Sequence, residues 1–215
     1  MQELNREATG IQAKREMVRR YMSDMIISAA AKLFGTAGYH GASMEQIARE
    51  AGISSATIYQ YFRNKHDLYM KVLSTVLDGL KEAAARSLSE DQDPVSRLRA
   101  FIRNRINFFL LNPALYKLLL FQRWNFILEQ PSDEYEELAR EYFEYLGTVR
   151  SLLEDLDRVW PLQGGLDLNK ISYFLLEVTL ATVFHRLVTG ARQDLDEEVD
   201  LVLNLFLQGL RKRAM

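Results

Sequence analysis

Apolar side chains recur along this chain at the three-and-four spacing of an α-helix, and the alternation of a half-buried strand is nearly absent. The first clear stripe is Ile26, Ala29, Ala30, Leu33 and Phe34. It predicts a helix over Tyr21–Ala37, with Gly38 placed to end it. Ser43 and Gln46 then stand three apart around a second apolar set, Met44, Ile47, Ala48 and Ala51. That spacing predicts a capping box, in which each side chain satisfies the other residue's backbone N–H. Gly52 closes this short helix and Ile53 plugs the turn. Ser54 caps a further short helix, Ser55–Phe62, and Asn64 caps a long one, Lys65–Ser87.

The same period predicts helices at Pro94–Leu111, Pro113–Leu128, Ser132–Asp157, Asn169–Thr189 and Leu195–Arg213. All four prolines fall at helix starts or connections. Residues 1–20 are polar and charged and read as a frayed arm or an early helical extension. The fold class is therefore all-α, with about nine helices. An arm (1–20) precedes a three-helix head (21–66) and a larger helical body (67–215).

Composition trims the possibilities. The 215 residues are 48% hydrophobic, enough for a real core, and contain no cysteine. Disulfide frameworks, thiolate metal sites and cysteine nucleophiles are excluded, and a cytoplasmic location fits. The first residues, MQELNREATG, lack the apolar run of a secretory signal. The most apolar windows, Phe108–Leu120 and Ile171–Val188, are interrupted by polar or charged residues and read as buried helices rather than membrane spans. Net charge is only −2, but it is unevenly spread. Residues 1–66 carry nine Lys and Arg against six Asp and Glu, a net of +3, while the remainder carries 18 against 23, a net of −5. The basic part coincides with the head.

Within the head, Ser43–Phe62 is two short helices joined by a tight turn at Gly52, where a side chain at positive φ is penalised. Ile47, Ala48, Ile53, Ile58 and Phe62 anchor the pair, and small Ala48 and Ala51 allow close approach. The second helix keeps a free face of Ser55, Thr57, Tyr59, Gln60 and Tyr61: hydroxyls, an amide and phenols, without a carboxylate. A major groove about 12 Å wide accepts such a helix. Taken alone, the pattern also suits a helical hairpin with a polar surface.

The run from Ile26 to Leu68, IISAAAKLFGTAGYHGASMEQIAREAGISSATIYQYFRNKHDL, resembles the N-terminal domain of the TetR family of transcriptional regulators without a gap. Ala29, Ala30, Leu33, Phe34, Gly38, Tyr39, Ile47, Ala48, Ala51, Gly52, Ser54, Tyr59, Tyr61, Phe62, Lys65 and Leu68 all fall in register. The resemblance implies that Ser55, Ala56, Tyr59 and Gln60 face bases. It implies that Thr57, Tyr61 and Lys65 meet phosphates, assisted by Ser43. Chemistry agrees: Gln60 suits adenine, Ala56 or the Tyr59 ring suits a thymine methyl, and Lys65 is an adaptable phosphate donor. The Tyr59 ring has a second reading, packing against the first helix. Two departures stand out. Ala56 replaces the Gly or Pro of many relatives, and Arg19 and Arg20 stand several residues earlier than the basic residues usual before the first helix.

The last helix carries Val199, Val202, Leu203, Phe206 and Leu210 on one stripe, with Leu201, Leu205 and Leu207 on other faces. A helix so apolar all round is covered on two sides. With Asn169–Thr189 it resembles the pair that TetR relatives join across a two-fold axis, which implies a homodimer through Phe184, Leu187, Val202, Phe206 and Leu210. The alternative is a central helix of a larger monomer core. The resemblance also implies an effector pocket among the middle helices, a region where Phe108, Phe109, Tyr116, Phe121, Trp124, Phe126, Tyr142 and Phe143 supply aromatic area. Its candidate residues are Asn107, Phe108, Tyr116, Arg123, Trp124, Tyr142, Glu177 and His185. Packing within an aromatic core, or pairing of the polar residues with one another, accounts for the same side chains without an effector.

The expected function is a repressor, released from double-stranded operator DNA by a small-molecule effector through a population shift. The helix Lys65–Ser87 is the expected lever, and its Gly79 serves either bending or a close helix contact. Catalysis has little to stand on. His40, His66 and His185 lie in separate contexts, and no hydrolase, P-loop or dinucleotide motif occurs. No cofactor, metal or membrane is expected. The alternatives are a DNA-binding protein without an effector and a helical interaction module.

Overall fold

A computed structural model describes residues 2–88, 93–128, 133–163, 165–191 and 194–210, the side chains of 2–10, 121–128 and 133–135 excepted. Among the described residues there are nine helices and no strand. They are α1 (Gln2–Gly41), α2 (Met44–Glu50), α3 (Ser55–Ile58), α4 (Lys65–Ala85), α5 (Pro94–Leu111), α6 (Pro113–Leu128), α7 (Asp133–Val159), α8 (Leu168–Thr189) and α9 (Leu195–Leu210). The all-α expectation holds. Ser132 and Arg213, expected as helix ends, lie outside the described residues.

Two boundaries differ from expectation. The first helix begins at Gln2 rather than Tyr21, so the arm is a helical extension of α1. The backbone does break where Gly38 predicts it, at φ 72° and ψ 173°, before one more turn to Gly41. The second difference is α3, which ends at Ile58 instead of Phe62. Beyond Ile58 the chain tightens: Gln60 N–H donates to Thr57 O at 3.0 Å and Tyr61 N–H to Ile58 O at 3.1 Å, both three residues back. The narrower turn brings Phe62 into the core two residues before Asn64 starts α4.

The chain folds as two compact units, Met1–Ser74 with Ala114–Glu129, and Thr75–Pro113 with Gln130–Met215; the boundary falls inside α4. In the first unit α1 packs on α2 and α2 on α3, around buried Ile26, Ala30, Phe34, Ile47 and Ile58. At Gly35 an added Cβ would stand 2.7 Å from the carbonyl oxygen of Ala114, so α1 and the start of α6 approach through bare backbone.

In the second unit α5 packs on α7, α8 and α9 with Leu98, Phe101, Ile102, Ile106 and Phe109 buried. Outside this core, Arg99 Nε meets Asp200 Oδ1 at 2.6 Å and Arg103 Nε meets Asp196 Oδ1 at 3.0 Å, tying α5 to α9. Hydrogen bonding from Arg103 and Arg99 holds the Asp196 and Asp200 carboxyls, respectively, below the ordinary 3.8. By length and composition α8 is apolar enough to cross a membrane. It buries Ser172, Leu175, Leu176, Thr179 and Val183 on one face and leaves Phe174, Phe184, Leu187 and Val188 exposed on another.

Gly79 has its explanation in contact. An added Cβ would enter the ring of Phe108, a side chain that can move. Gly35 faces backbone, which cannot. Gly35→Ala should therefore cost about 1–3 kcal/mol, the usual range for overpacking, and Gly79→Ala less. Thermal unfolding of the two variants checks the order; equal losses would contradict it.

Candidate nucleic-acid interface

The geometry of the head is set by caps. Ser43 Oγ accepts from Gln46 N–H at 3.2 Å while Ser43 N–H donates to Gln46 Oε1 at 2.8 Å, the predicted capping box. Gly52 turns the chain at φ 70°, where a Cβ would be strained. Ser54 Oγ then accepts from Thr57 N–H at 3.1 Å to start α3. Ile58 and Phe62 are buried, and on the opposite side Ser55, Ala56, Tyr59 and Gln60 are exposed, Tyr59 by 50%. All four are turned away from the core, Ser55 and Ala56 on α3 and Tyr59 and Gln60 on the tight turn that follows it. They offer a hydroxyl, a methyl, a phenol and an amide outward, with no carboxylate among them.

The residues expected at phosphates are held more tightly. Thr57 and Tyr61 are half-buried, and the Thr57 hydroxyl lies 2.8 Å from Ser54 Oγ. Ser43, also half-buried, accepts in the cap through its oxygen, and its hydroxyl and the Glu45 backbone N–H both hydrogen-bond the Glu45 carboxyl, the backbone contact being the larger cause that holds it below its ordinary value. Lys65 has a role the sequence does not suggest. Its Nζ donates to Tyr39 O at 2.8 Å and to Ala42 O at 3.1 Å, and lies 4.4 Å from the centroid of the Tyr39 ring. That ring packs 4.8 Å from Tyr69, which meets Phe34 edge-on at 5.0 Å. The ammonium thus fastens the end of α1 to the start of α4. An ammonium has three donors, so one remains for a phosphate.

The effector candidates separate. Tyr142 is half-buried and its phenol is pushed up to about 12, chiefly by burial. Arg105 and Glu177 are among the charges acting on it, and Tyr145 beside it is raised by burial too. At the centre is a residue that sequence reasoning passes over, Arg105, only 3% exposed. Its Nε donates to Thr179 Oγ1 at 2.9 Å and its Nη1 to the Tyr145 hydroxyl at 2.8 Å, with the Phe109 ring 5.3 Å away. Its signal is position: Arg105 falls on the buried stripe Leu98, Phe101, Ile102, Ile106 and Phe109, where an apolar residue is expected. Asn107 and His185 are exposed, Phe108 is half-buried and Tyr116 buried. The side chains of Arg123 and Trp124 lie outside the described residues.

Of the residues assigned to a dimer contact, Phe184 and Leu187 are 53% and 41% exposed, and Phe206 is half-buried. Val202 and Leu210 are already buried within the chain. Leu201 and Leu205, each 59% exposed, carry the open apolar face of α9, and Phe174 and Val188 extend that of α8.

The Lys65 contacts lead to a measurable expectation. Removing an ammonium that satisfies two backbone carbonyls should cost about 2 kcal/mol of stability, the scale of hydrogen bonds to a charged group. Urea unfolding of Lys65→Ala checks it; a loss below ~0.5 kcal/mol would mean the fastening carries no weight.

Comparison with known proteins agrees with this geometry. Residues 26–72 match the family model of bacterial regulatory proteins, tetR family. The transcriptional activator FasR of Mycolicibacterium smegmatis is 32% identical over 53% of this chain, which spans 52% of FasR's length. The fatty acid metabolism regulator protein of Bacillus subtilis is 25% identical over 90% of this chain and 97% of its own. The structure of the Bacillus subtilis regulator FadR in complex with stearoyl-CoA shares the fold, with TM-score 0.69 and 21% identity over 87% of this chain and 98% of that one. The domain over residues 26–72 is thus that of the bacterial regulatory proteins of the tetR family.

Proposed function

We infer that this protein is a sequence-specific, DNA-binding transcriptional regulator, a homodimeric repressor released from its operator by a small-molecule effector. One observation carries the reading: α3 and the turn after it are anchored by Ile58 and Phe62 and leave Ser55, Ala56, Tyr59 and Gln60 turned away from the core. A helix held from behind with uncharged hydrogen-bonding groups in front suits the edges of bases in a major groove. Thr57, Tyr61, Ser43 and the remaining donor of Lys65 suit the adjoining phosphates. In this reading residues 21–66 are the DNA-binding domain and residues 67–215 the dimerisation and effector domain.

Reading an operator takes two heads about one helical turn, ~34 Å, apart. The open apolar face of Phe184, Leu187, Leu201 and Leu205 supports pairing through α8 and α9. The effector proposed is a fatty-acyl thioester, an apolar chain with an anionic head. Support comes from the stearoyl-CoA complex of the Bacillus subtilis regulator. Arg105 adds to it as a buried cation whose partners among the described residues, Thr179 and Tyr145, are neutral. Tyr142 and Glu177 stand in its surroundings. Release follows if the effector binds better to a dimer whose heads are wrongly spaced for DNA, by that difference alone.

Selecting bound sequences from random duplexes, with and without stearoyl-CoA, tests the reading. The expected result is one enriched motif of two inverted half-sites a turn apart, depleted when stearoyl-CoA is added. No enrichment would end the DNA-binding reading. A single half-site would end the dimer, and indifference to stearoyl-CoA would favour a regulator without that effector. On the recovered operator, Gln60→Ala should lose about 1–3 kcal/mol and relax one position per half-site. An equal loss on random DNA would remove Gln60 from base reading.

A further inference from the structure

Four arginines lie on α5, and three of them have a carboxylate partner. Arg97 Nη1 meets Asp155 Oδ2 at 3.0 Å, and Arg99 and Arg103 meet Asp200 and Asp196. The fourth, Arg105, is the one that is buried, and among the described residues it forms no ion pair. Its contacts are the hydroxyls of Thr179 and Tyr145 and the rings of Phe109 and Tyr145. None of them carries a negative charge. A threonine hydroxyl does not ionise, and burial outweighs the nearby Arg105 and pushes the Tyr145 phenol up, away from the phenolate. Glu177 acts on the Tyr142 phenol but makes no ion pair with Arg105. Hydrogen bonds to neutral groups satisfy donors, yet the charge itself stays uncompensated in a medium of low dielectric. Arg105 spends Nε and one hydrogen of Nη1 on the two hydroxyls. The outer edge of the guanidinium, Nη1 with Nη2, keeps hydrogens in the parallel arrangement that fits a carboxylate.

We propose that Arg105 receives a carboxylate carried by the effector's apolar chain, so that the effector is acidic at its buried end. The proposal rests on the reading of the body as an effector domain and narrows the class of effector. A saturated fatty-acyl thioester leaves the charge of Arg105 open, because its thioester is neutral and its chain ends in a methyl. The phosphates of coenzyme A do not close the gap either. They are several charges on a bulky group, costly to take out of water, and Arg105 is only 3% exposed. A single carboxylate on an apolar chain matches the site in size, charge and planarity. Two kinds of molecule carry it: a dicarboxylic acyl thioester, at its far end, and a free fatty acid, at its head. In either case the pairing makes Arg105 a residue that sets specificity, since a chain without the charge leaves a buried cation uncompensated.

Titration calorimetry of the full-length protein without DNA tests this, using two pairs of ligands below their aggregation limits. Octadecanedioyl-CoA against stearoyl-CoA isolates a carboxylate at the far end, and stearate against octadecanol isolates one at the head. In at least one pair the carboxylate should improve Kd roughly tenfold or more, the scale of a charge-assisted hydrogen bond. The pair that shows the preference names the source. Arg105→Met should fold, because an apolar side chain in place of a buried ion is often neutral or stabilising, and it should lose the preference. Arg105→Lys keeps a charge and should keep the preference. Buried pairs are screened little, so the preference should hold across a series of KCl concentrations. The proposal is overturned by a parent indifferent to the carboxylate in both pairs, which needs no variant to decide. A preference that survives Arg105→Met, or one that fades as salt rises, overturns it too. Binding without preference removes this proposal and leaves the effector domain standing. If none of the four ligands binds, the fatty-acyl reading of the effector falls and this proposal with it.

Discussion

A helix of four residues cannot hold itself together in water. Nucleation fixes several dihedrals for one hydrogen bond, and α3 ends before propagation can compensate. Its order is borrowed from Ile58 and Phe62, which lie in a core built from α1 and α2. Everything presented outward from α3 inherits its position from those two side chains and from the Ser54 cap. That explains why the residues around this short helix are so constrained. Gly52 makes the turn, Ala48 and Ala51 keep it close, and the capping box fixes where α2 begins.

The two units treat charge differently. In the first, the central cation is Lys65, satisfied by backbone carbonyls and an aromatic face while retaining a donor for solvent or ligand. In the second, Arg105 is taken wholly inside and given neutral partners. Burying a guanidinium is costly even when it is hydrogen-bonded. A packed apolar residue at that point of α5 would not carry this cost. The surface pairs of Arg99 and Arg103 with Asp196 and Asp200 are a different matter, exposed, salt-screened and weak in stability.

Much of this was legible from periodicity and punctuation. Helical stripes located the elements because burial on one side of a helix repeats every three to four residues. Ser43 with Gln46, Ser54, Gly52 and Asn64 marked their ends because capping is a local interaction. The misses involve contacts between residues far apart in the chain. Lys65 reads locally as a surface lysine, and only the fold brings Tyr39 and Ala42 to it. The early end of α3 follows from Phe62 having to reach a core assembled elsewhere. Val202 and Leu201 are neighbours on a helix apolar on nearly every side, so pattern alone did not say which would face inward. Arg105, passed over in the sequence, lies on an apolar stripe, and its partners Tyr145 and Thr179 come from two other helices.

The contact from Lys65 to Tyr39 joins residues 26 apart in the chain. Topologically it closes a loop, and the loop contains α2, the turn at Gly52 and α3 in full. A closed loop has less entropy to gain by opening in parts, because its ends remain joined until the closing contact breaks. The closing contact thus favours opening of the head as one piece over fraying helix by helix. Amide hydrogens of α2 and α3 are then expected to share an opening event, one that breaks the Lys65 contact together with the core around Ile47, Ile58 and Phe62.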